Sequence, residues 1–423
     1  MKVTARLLLL TISIIYKATG QTAEISDEQK LARVTVLAFG PDNVLYIGNS
    51  EEAKIHAVVT EAEPLADPIP YNMEGFDVMI SEQLGIAPRE VIVSDMKIHP
   101  VSQEAYVAIR LGYDPAAPSV IAIVQPATGA IRFLTVNASN STSVTLNNPA
   151  SEDLLFWSET PASTLTITDI DYHDGHVYVA GLTNSDFASN LRKIAYPFND
   201  KQEAVNSIEI YHAVHTQNET RAPIRTMLFE ELNGVSTLIA SYTCTPLVTI
   251  PAAEIQSGAS ITGKTIAELG YGNTPIDMLV VTTQGFDGST SQSLLVTHKN
   301  RGGSMIPLSS VVEGAKGTGM LGQRAMFATG LEGIQQIPTA NVMHIDMQNP
   351  QMLGIIRRNM ETGAIDLVSE LTGTFLRLSD FISEYDFPDY RYPEEQVPTR
   401  QYHDMVKQME GYPELTSEQM GRN

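Results

Sequence analysis

Val93-Ser94-Asp95-Met96, Ile167-Thr168-Asp169-Ile170 and Pro275-Ile276-Asp277-Met278 carry an aspartate at the same point of the same pattern. Pro223-Ile224-Arg225-Thr226 matches the third stretch with arginine in that place. Each is followed by a turn and a second apolar run: Tyr106-Val107-Ala108, Val177-Tyr178-Val179, Leu294-Leu295-Val296 and Leu238-Ile239-Ala240. Short runs rich in β-branched residues, alternating with period two and broken by Gly, Pro, Asn and Asp, read as strands. A strand pair that recurs along the chain is an internal repeat, and repeated four-stranded units are the signature of a β-propeller.

Working outward from these stretches, six strand pairs emerge: residues 34–39 with 44–48, 91–98 with 105–110, 165–172 with 176–181, 224–229 with 237–242, 276–281 with 293–298, and 333–337 with 342–346. A further hairpin follows most pairs, as at 120–124 with 130–136 and 353–357 with 365–371. The expected fold is all-β, a propeller of four-stranded blades. Six blades cover roughly residues 30 to 375. A seventh has room in the poorly patterned stretches 60–90 or 305–330. Helical periodicity is almost absent before a candidate short helix at 399–410.

The run Ala38-Phe39-Gly40-Pro41-Asp42-Asn43-Val44-Leu45-Tyr46-Ile47 resembles the blade patterning of exported bacterial β-propellers of the broad NHL and YVTN kind. The resemblance extends over most of the chain at the level of fold. It implies a propeller and brings no catalytic motif with it.

Lys2 and Arg6, the apolar core Leu7 to Ile15, and the small residues Ala18-Thr19-Gly20 form a secretory signal pattern, with cleavage expected near Gly20. The expected organisation is therefore a signal peptide at 1–20, a propeller at 21–375 and an acidic, aromatic tail at 376–423. The mature protein is expected in the periplasm or outside the cell, as a monomer without a membrane span. Cys244 is the only cysteine, so no disulfide within the chain can contribute and stability must come from burial. A net charge of −22 argues against nucleic acid, whose phosphates demand clustered Lys and Arg.

Aligning the blades on the first strand places Val36, Asp95, Asp169, Arg225, Asp277 and Gln335 at one position. Facing a central channel is the cheaper arrangement for these charges, since burial between blades would demand partners. Three carboxylates with water suit a hard cation such as calcium, and Arg225 suits an anionic group. Propeller topology also gathers loops that are distant in sequence. The loops entering the first strands bring His212, His215, Arg221 and Thr274; those leaving the second strands bring Asn49, Arg110, Asn184, Tyr242, Cys244, His298, Asn300 and Arg301. His212 and His215, with Cys244 or His298 across the mouth, offer imidazole and thiolate ligands for zinc or copper. Cys244 as a nucleophile would need one of His212, His215 or His298 as its base.

Gly317-Thr318-Gly319-Met320-Leu321-Gly322 fits a dinucleotide pattern but lacks the preceding strand and following helix that pattern needs. A single tryptophan, Trp157, excludes tryptophan-rich quinoprotein blades, and no haem-attachment or nucleophile-elbow motif occurs. The sequence thus points to a propeller that binds a small polar ligand or a protein partner at the mouth of its channel. The alternatives are a metal-dependent enzyme, a hydrolase, lactonase or oxidoreductase, at the same mouth, and a scaffold acting through blade edges and the tail.

Overall fold

The computed structural model describes residues 25–65, 69–114, 117–198, 204–256, 258–284, 289–339 and 341–372. The expected signal segment and the expected acidic tail lie outside the described residues. Among the described residues, no helix is long and apolar enough to cross a membrane.

Blade I consists of Val36–Phe39, Val44–Asn49, Lys54–Val59 and Ser141–Thr145. Blade II is Val91–Ile98, Ala105–Leu111, Ser119–Val124 and Ile131–Phe133. Blade III is Asp169–His173, His176–Leu182, Ser189–Ala195 and Ala204–His212. Blade IV is Ile224–Leu232, Val235–Tyr242, Pro246–Pro251 and Ser260–Glu268. Blade V is Pro275–Gln284, Thr290–His298, Gly303–Pro307 and Gln335–Ile337. Blade VI is Val342–Asn349, Met352–Arg358, Ile365–Leu371 and the early segment Asn72–Met73.

The first strands of the blades pack side by side in a closed ring, in the order I, III, IV, V, VI, II and back to I. This is not chain order, because blade II lies between the first blade and the last. After three strands of blade I the chain crosses to give Asn72–Met73 to blade VI. It then builds blade II and returns to add Ser141–Thr145 to blade I. Tyr71 secures the crossing: its N–H donates to Ser369 Oγ, and its hydroxyl donates to the Gln103 carbonyl at 2.6 Å.

Burial explains why the strands are apolar on both faces. Every middle strand is sandwiched between two neighbouring blades, so alternation selects which neighbour a side chain meets rather than core against water. In blade I, Leu37, Leu45 and Ile47 join Tyr106, Ala108 and Ile121 of blade II. The alternate residues Val36, Ala38 and Tyr46 join Ile170, Val177 and Val179 of blade III. Comparable clusters fill the junctions III–IV, IV–V, V–VI and VI–II. Gly181 lies where blade III meets its own entry loop, and a Cβ there would collide with the Thr166 carbonyl. The outermost strands of blades III and IV pair in parallel, Ser207 to Ile210 against Ser260 to Gly263, so that each covers the other's open edge.

Two expectations need correction. The stretches with room for a seventh blade hold helices instead, Phe76–Leu84 and Leu308–Lys316. The first is bracketed by Gly75 and Gly85, both left-handed, and buries Phe76 and Ile80, one helical turn apart. In addition, the strand pair placed at 333–346 is not a pair. Gln335–Ile337 is the outer strand of blade V, and blade VI begins at Val342. Gln335 therefore leaves the central ring, and His344 with Asp346 stands there.

Candidate functional site

The first strand of each blade is an edge strand, and its outward N–H groups need acceptors. The repeated aspartates supply them. Asp95 Oδ2 of blade II accepts from Leu37 N of blade I at 2.6 Å. Asp169 Oδ2 of blade III accepts from Met227 N of blade IV at 2.6 Å, and Asp171 Oδ2 accepts from Phe229 N at 3.0 Å. Asp277 Oδ2 of blade V accepts from Ile345 N of blade VI at 3.0 Å. Asp346 Oδ2 of blade VI accepts from Ile98 N of blade II at 2.6 Å. Each carboxylate thus reaches the next blade in ring order, III to IV, V to VI, VI to II and II to I. The repeat is a set of staples between blades. Next to Asp95, and at Arg225 and Asp277, the strand also breaks register in a bulge.

The carboxylates also surround a cation that the repeat did not predict. Lys97 Nζ lies 3.5 Å from Asp277 Oδ1. Burial opposes its charge, but Asp277, Asp95, Asp346 and Asp169 outweigh burial and hold its pKa well above the ordinary value. His344 Nδ1 stands 3.4 Å from Asp95 Oδ1 and 3.3 Å from Asp277 Oδ2. Burial raises the Asp95 pKa, whereas for Asp277 burial is outweighed by Lys97 and His344, and its pKa falls. Asp95, Asp277 and His344 place three donor atoms within 4.8 Å of one another, a group with the chemistry to hold a metal ion. Lys97 already supplies positive charge there. Arg225 lies in its bulge beside Asp169, and burial lowers its pKa.

A cavity of about 670 Å³ opens where the first strands end, on the side of the turns into the second strands. Lys97, Asp169, Asp171 and Asp346 stand at its floor; Phe39, Met227, Phe229, Met278 and Met347, whose side chains also pack in the blade junctions, line it with Gln348 and Asn349. Burial pushes Asp171 and Asp346 each up to about 6. Lys97 and Asp171 were legible as neighbours two residues beyond the repeated aspartates, on the same face of the strand. Asp346 and His344 were hidden by the slip of one strand in the last blade.

The expected mouth residues do not surround this cavity. His212 ends the outermost strand of blade III and Glu268 ends the outermost strand of blade IV, so their cluster sits on the periphery. The gathering of distant loops is nevertheless seen there. Cys244 N donates to the Asn273 carbonyl, Asn300 N donates to Asn273 Oδ1, and Arg301 lies against Gly270. Glu219 accepts from His212 Nδ1 at 2.9 Å and from His215 Nδ1 at 2.5 Å. These three residues also bring donor atoms within 4.8 Å, but both Glu219 oxygens are engaged by imidazole N–H groups. His298 is fully buried in blade V against Ser304, and Tyr242 is buried in the junction of blades III and IV. Arg221 donates to the Asp186 carbonyl at the rim of blade III.

No family model matches the chain, and comparison with curated proteins finds no match. Among solved structures, the chain is similar to a glucose dehydrogenase at 9% identity and a TM-score of 0.33, over 82% of this chain and 99% of that one. It is also similar to Drosophila Plexin A in complex with Semaphorin 1b at 7% identity and a TM-score of 0.33, over 82% of this chain and 86% of that one. These likenesses concern the fold, which the strand pairing establishes independently.

Proposed function

We propose that the propeller binds a small organic amine in the cavity at the end of its central channel. The observation that carries this reading is the composition of the floor. Asp169, Asp171 and Asp346 meet there with Lys97 as the one cation among the named floor residues, inside a space of ligand size. Each staple uses one carboxylate oxygen for the neighbouring blade. The other, which at Asp169 and Asp171 also accepts from the next residue's N–H, keeps a second lone pair for an ammonium group, and the Met and Phe residues of the lining suit the carbon chain behind it. An incoming cation would also relieve the burial that raises the pKa of Asp171 and Asp346.

Isothermal titration with putrescine, spermidine and phenethylamine tests the proposal. Binding is expected at pH 7.5 and is expected to weaken as pH falls through about 6, where Asp171 and Asp346 take up protons. Asp171→Asn with Asp346→Asn should weaken it at least tenfold. Absence of binding by all three amines, or binding that the double variant leaves unchanged, would refute the reading.

A further inference from the structure

Cys244 closes the second strand of blade IV in a turn where it and Thr245 both have left-handed backbone, φ 70° and φ 78°. Neither is glycine, and Thr245 is β-branched, so the turn holds strain of the kind that gathers at functional sites. The turn is fixed from several sides. Cys244 N donates to the Asn273 carbonyl, and Thr245 Oγ1 donates to the Gly270 carbonyl at 2.8 Å. Gly272 N donates to the sulfur at 3.4 Å. A Cβ on Gly272 would meet nothing within 4 Å, so this side of the half-buried thiol is open.

The thiol also neighbours the His212 imidazole. Nδ1 of that ring is engaged by Glu219 at 2.9 Å, which leaves Nε2 for the sulfur. His212 is buried, and among the described residues Nε2 has no hydrogen-bond partner; Glu268 Oε1 stands 3.9 Å away. Among the described residues, Glu268 Oε2 and Asn273 Nδ2, on the segments that hold the turn, are also buried without hydrogen-bond partners. Beside it lie exposed apolar side chains. Tyr271 N donates to the Met326 carbonyl, which brings Tyr271, Met326 and Phe327 to the same rim.

We propose that Cys244, His212 and Glu219 form a nucleophile, a base and its positioning residue, which together hydrolyse esters bearing an apolar acyl group. A thiolate is activated when an imidazole can take its proton and a carboxylate holds the imidazole in place. The neighbouring His212 imidazole draws the thiol below its ordinary pKa. Burial opposes the charge on His212, but Cys244, Glu219 and Glu268 outweigh it and raise its pKa to about 10. In the first step the sulfur bonds to the carbonyl carbon, the C–O bond of the ester breaks, and the departing oxygen takes the proton from Nε2. In the second, water gives a proton to Nε2 and its oxygen to the acyl carbon. The C–S bond breaks and the carboxylic acid leaves. Asn273 Nδ2, on the loop that holds the turn, is a free donor for the carbonyl oxygen.

The full-length protein is incubated with p-nitrophenyl acetate and p-nitrophenyl octanoate, followed by p-nitrophenol release and intact mass. The expected result is a burst of one equivalent and one acyl group mapped to Cys244, formed faster from the octanoate. Cys244→Ser should abolish the adduct, and His212→Phe should slow its formation about 100-fold. Glu219→Gln should move the basic limb of the pH–rate profile to lower pH, a change that a merely structural role would not produce. Iodoacetamide guards against variants that fail to fold: at pH 6 native Cys244 should react at least tenfold faster than the urea-unfolded chain. No acyl group on Cys244, native alkylation no faster than unfolded, or acylation abolished by EDTA would each overturn the proposal.

Discussion

Replacing Lys97 by Met removes the cation on which the channel carboxylates converge and leaves a side chain of similar length. Its ammonium stands 3.5 Å from Asp277 and is also held by Asp95, Asp346 and Asp169. At an effective dielectric near 20 the closest pair alone is worth about 5 kcal/mol of Coulomb energy, before the desolvation that Met avoids. Breaking a buried pair by deleting one partner costs about 3–5 kcal/mol, because the other charge stays buried without compensation. That range is expected for Lys97→Met at pH 7.5, measured by urea denaturation. Acidification should shrink it. Asp346, whose pKa burial pushes up to about 6, then takes up a proton and no longer needs the ammonium. Combining Lys97→Met with Asp277→Asn should recover part of the loss at pH 7.5. A cost below about 1 kcal/mol, or one that neither acid nor the second substitution reduces, would show that Lys97 is not the charge on which the ring depends.

The staples give a second test. Asp95→Ala strands the Leu37 N–H and should cost about 1–3 kcal/mol, whereas Asp95→Asn keeps an acceptor and should cost less, both read by thermal melting. Gly181→Ala should destabilise by about 1–3 kcal/mol, because the added methyl meets the Thr166 backbone rather than a mobile side chain; a neutral variant would show that the entry loop can yield.

Most of the fold was legible because blade strands are short, apolar and repeated. The first strands of blades II, IV and V lie where the aspartate and arginine stretches placed them. What failed was bookkeeping across blade V, whose outer strand Gln335–Ile337 is separated from its partners by a helix and mimics the start of a new blade. Ring order was also hidden, since pairing of Asn72–Met73 with residues near 368 leaves no local mark on sequence. The aspartates were read as channel groups because a charge in the wall seemed costly. Asp95 and Asp277 are instead buried, and they find in the neighbouring wall the partners that burial demands, a role that needs the exposed N–H row of an edge strand to be seen. Cys244 and His212 were recognisable as possible partners. Glu219, which orients the ring, lies seven residues beyond His212 and carries no sequence pattern that marks it.

The crossing of the chain between blades I and VI has a consequence for biosynthesis. A chain emerging from the ribosome releases Tyr71 and Phe76 early, yet the surfaces that cover them include Ile356, Ile365 and Leu367, which are among the last propeller residues made. Until those arrive, two large apolar side chains stay available to chaperones and proteases. A product halted before residue 365 cannot complete the junctions that blade VI makes with blades V and II. Closure of the ring therefore serves as a check of length, and only a chain translated through the final blade hides the segment that would mark it for removal.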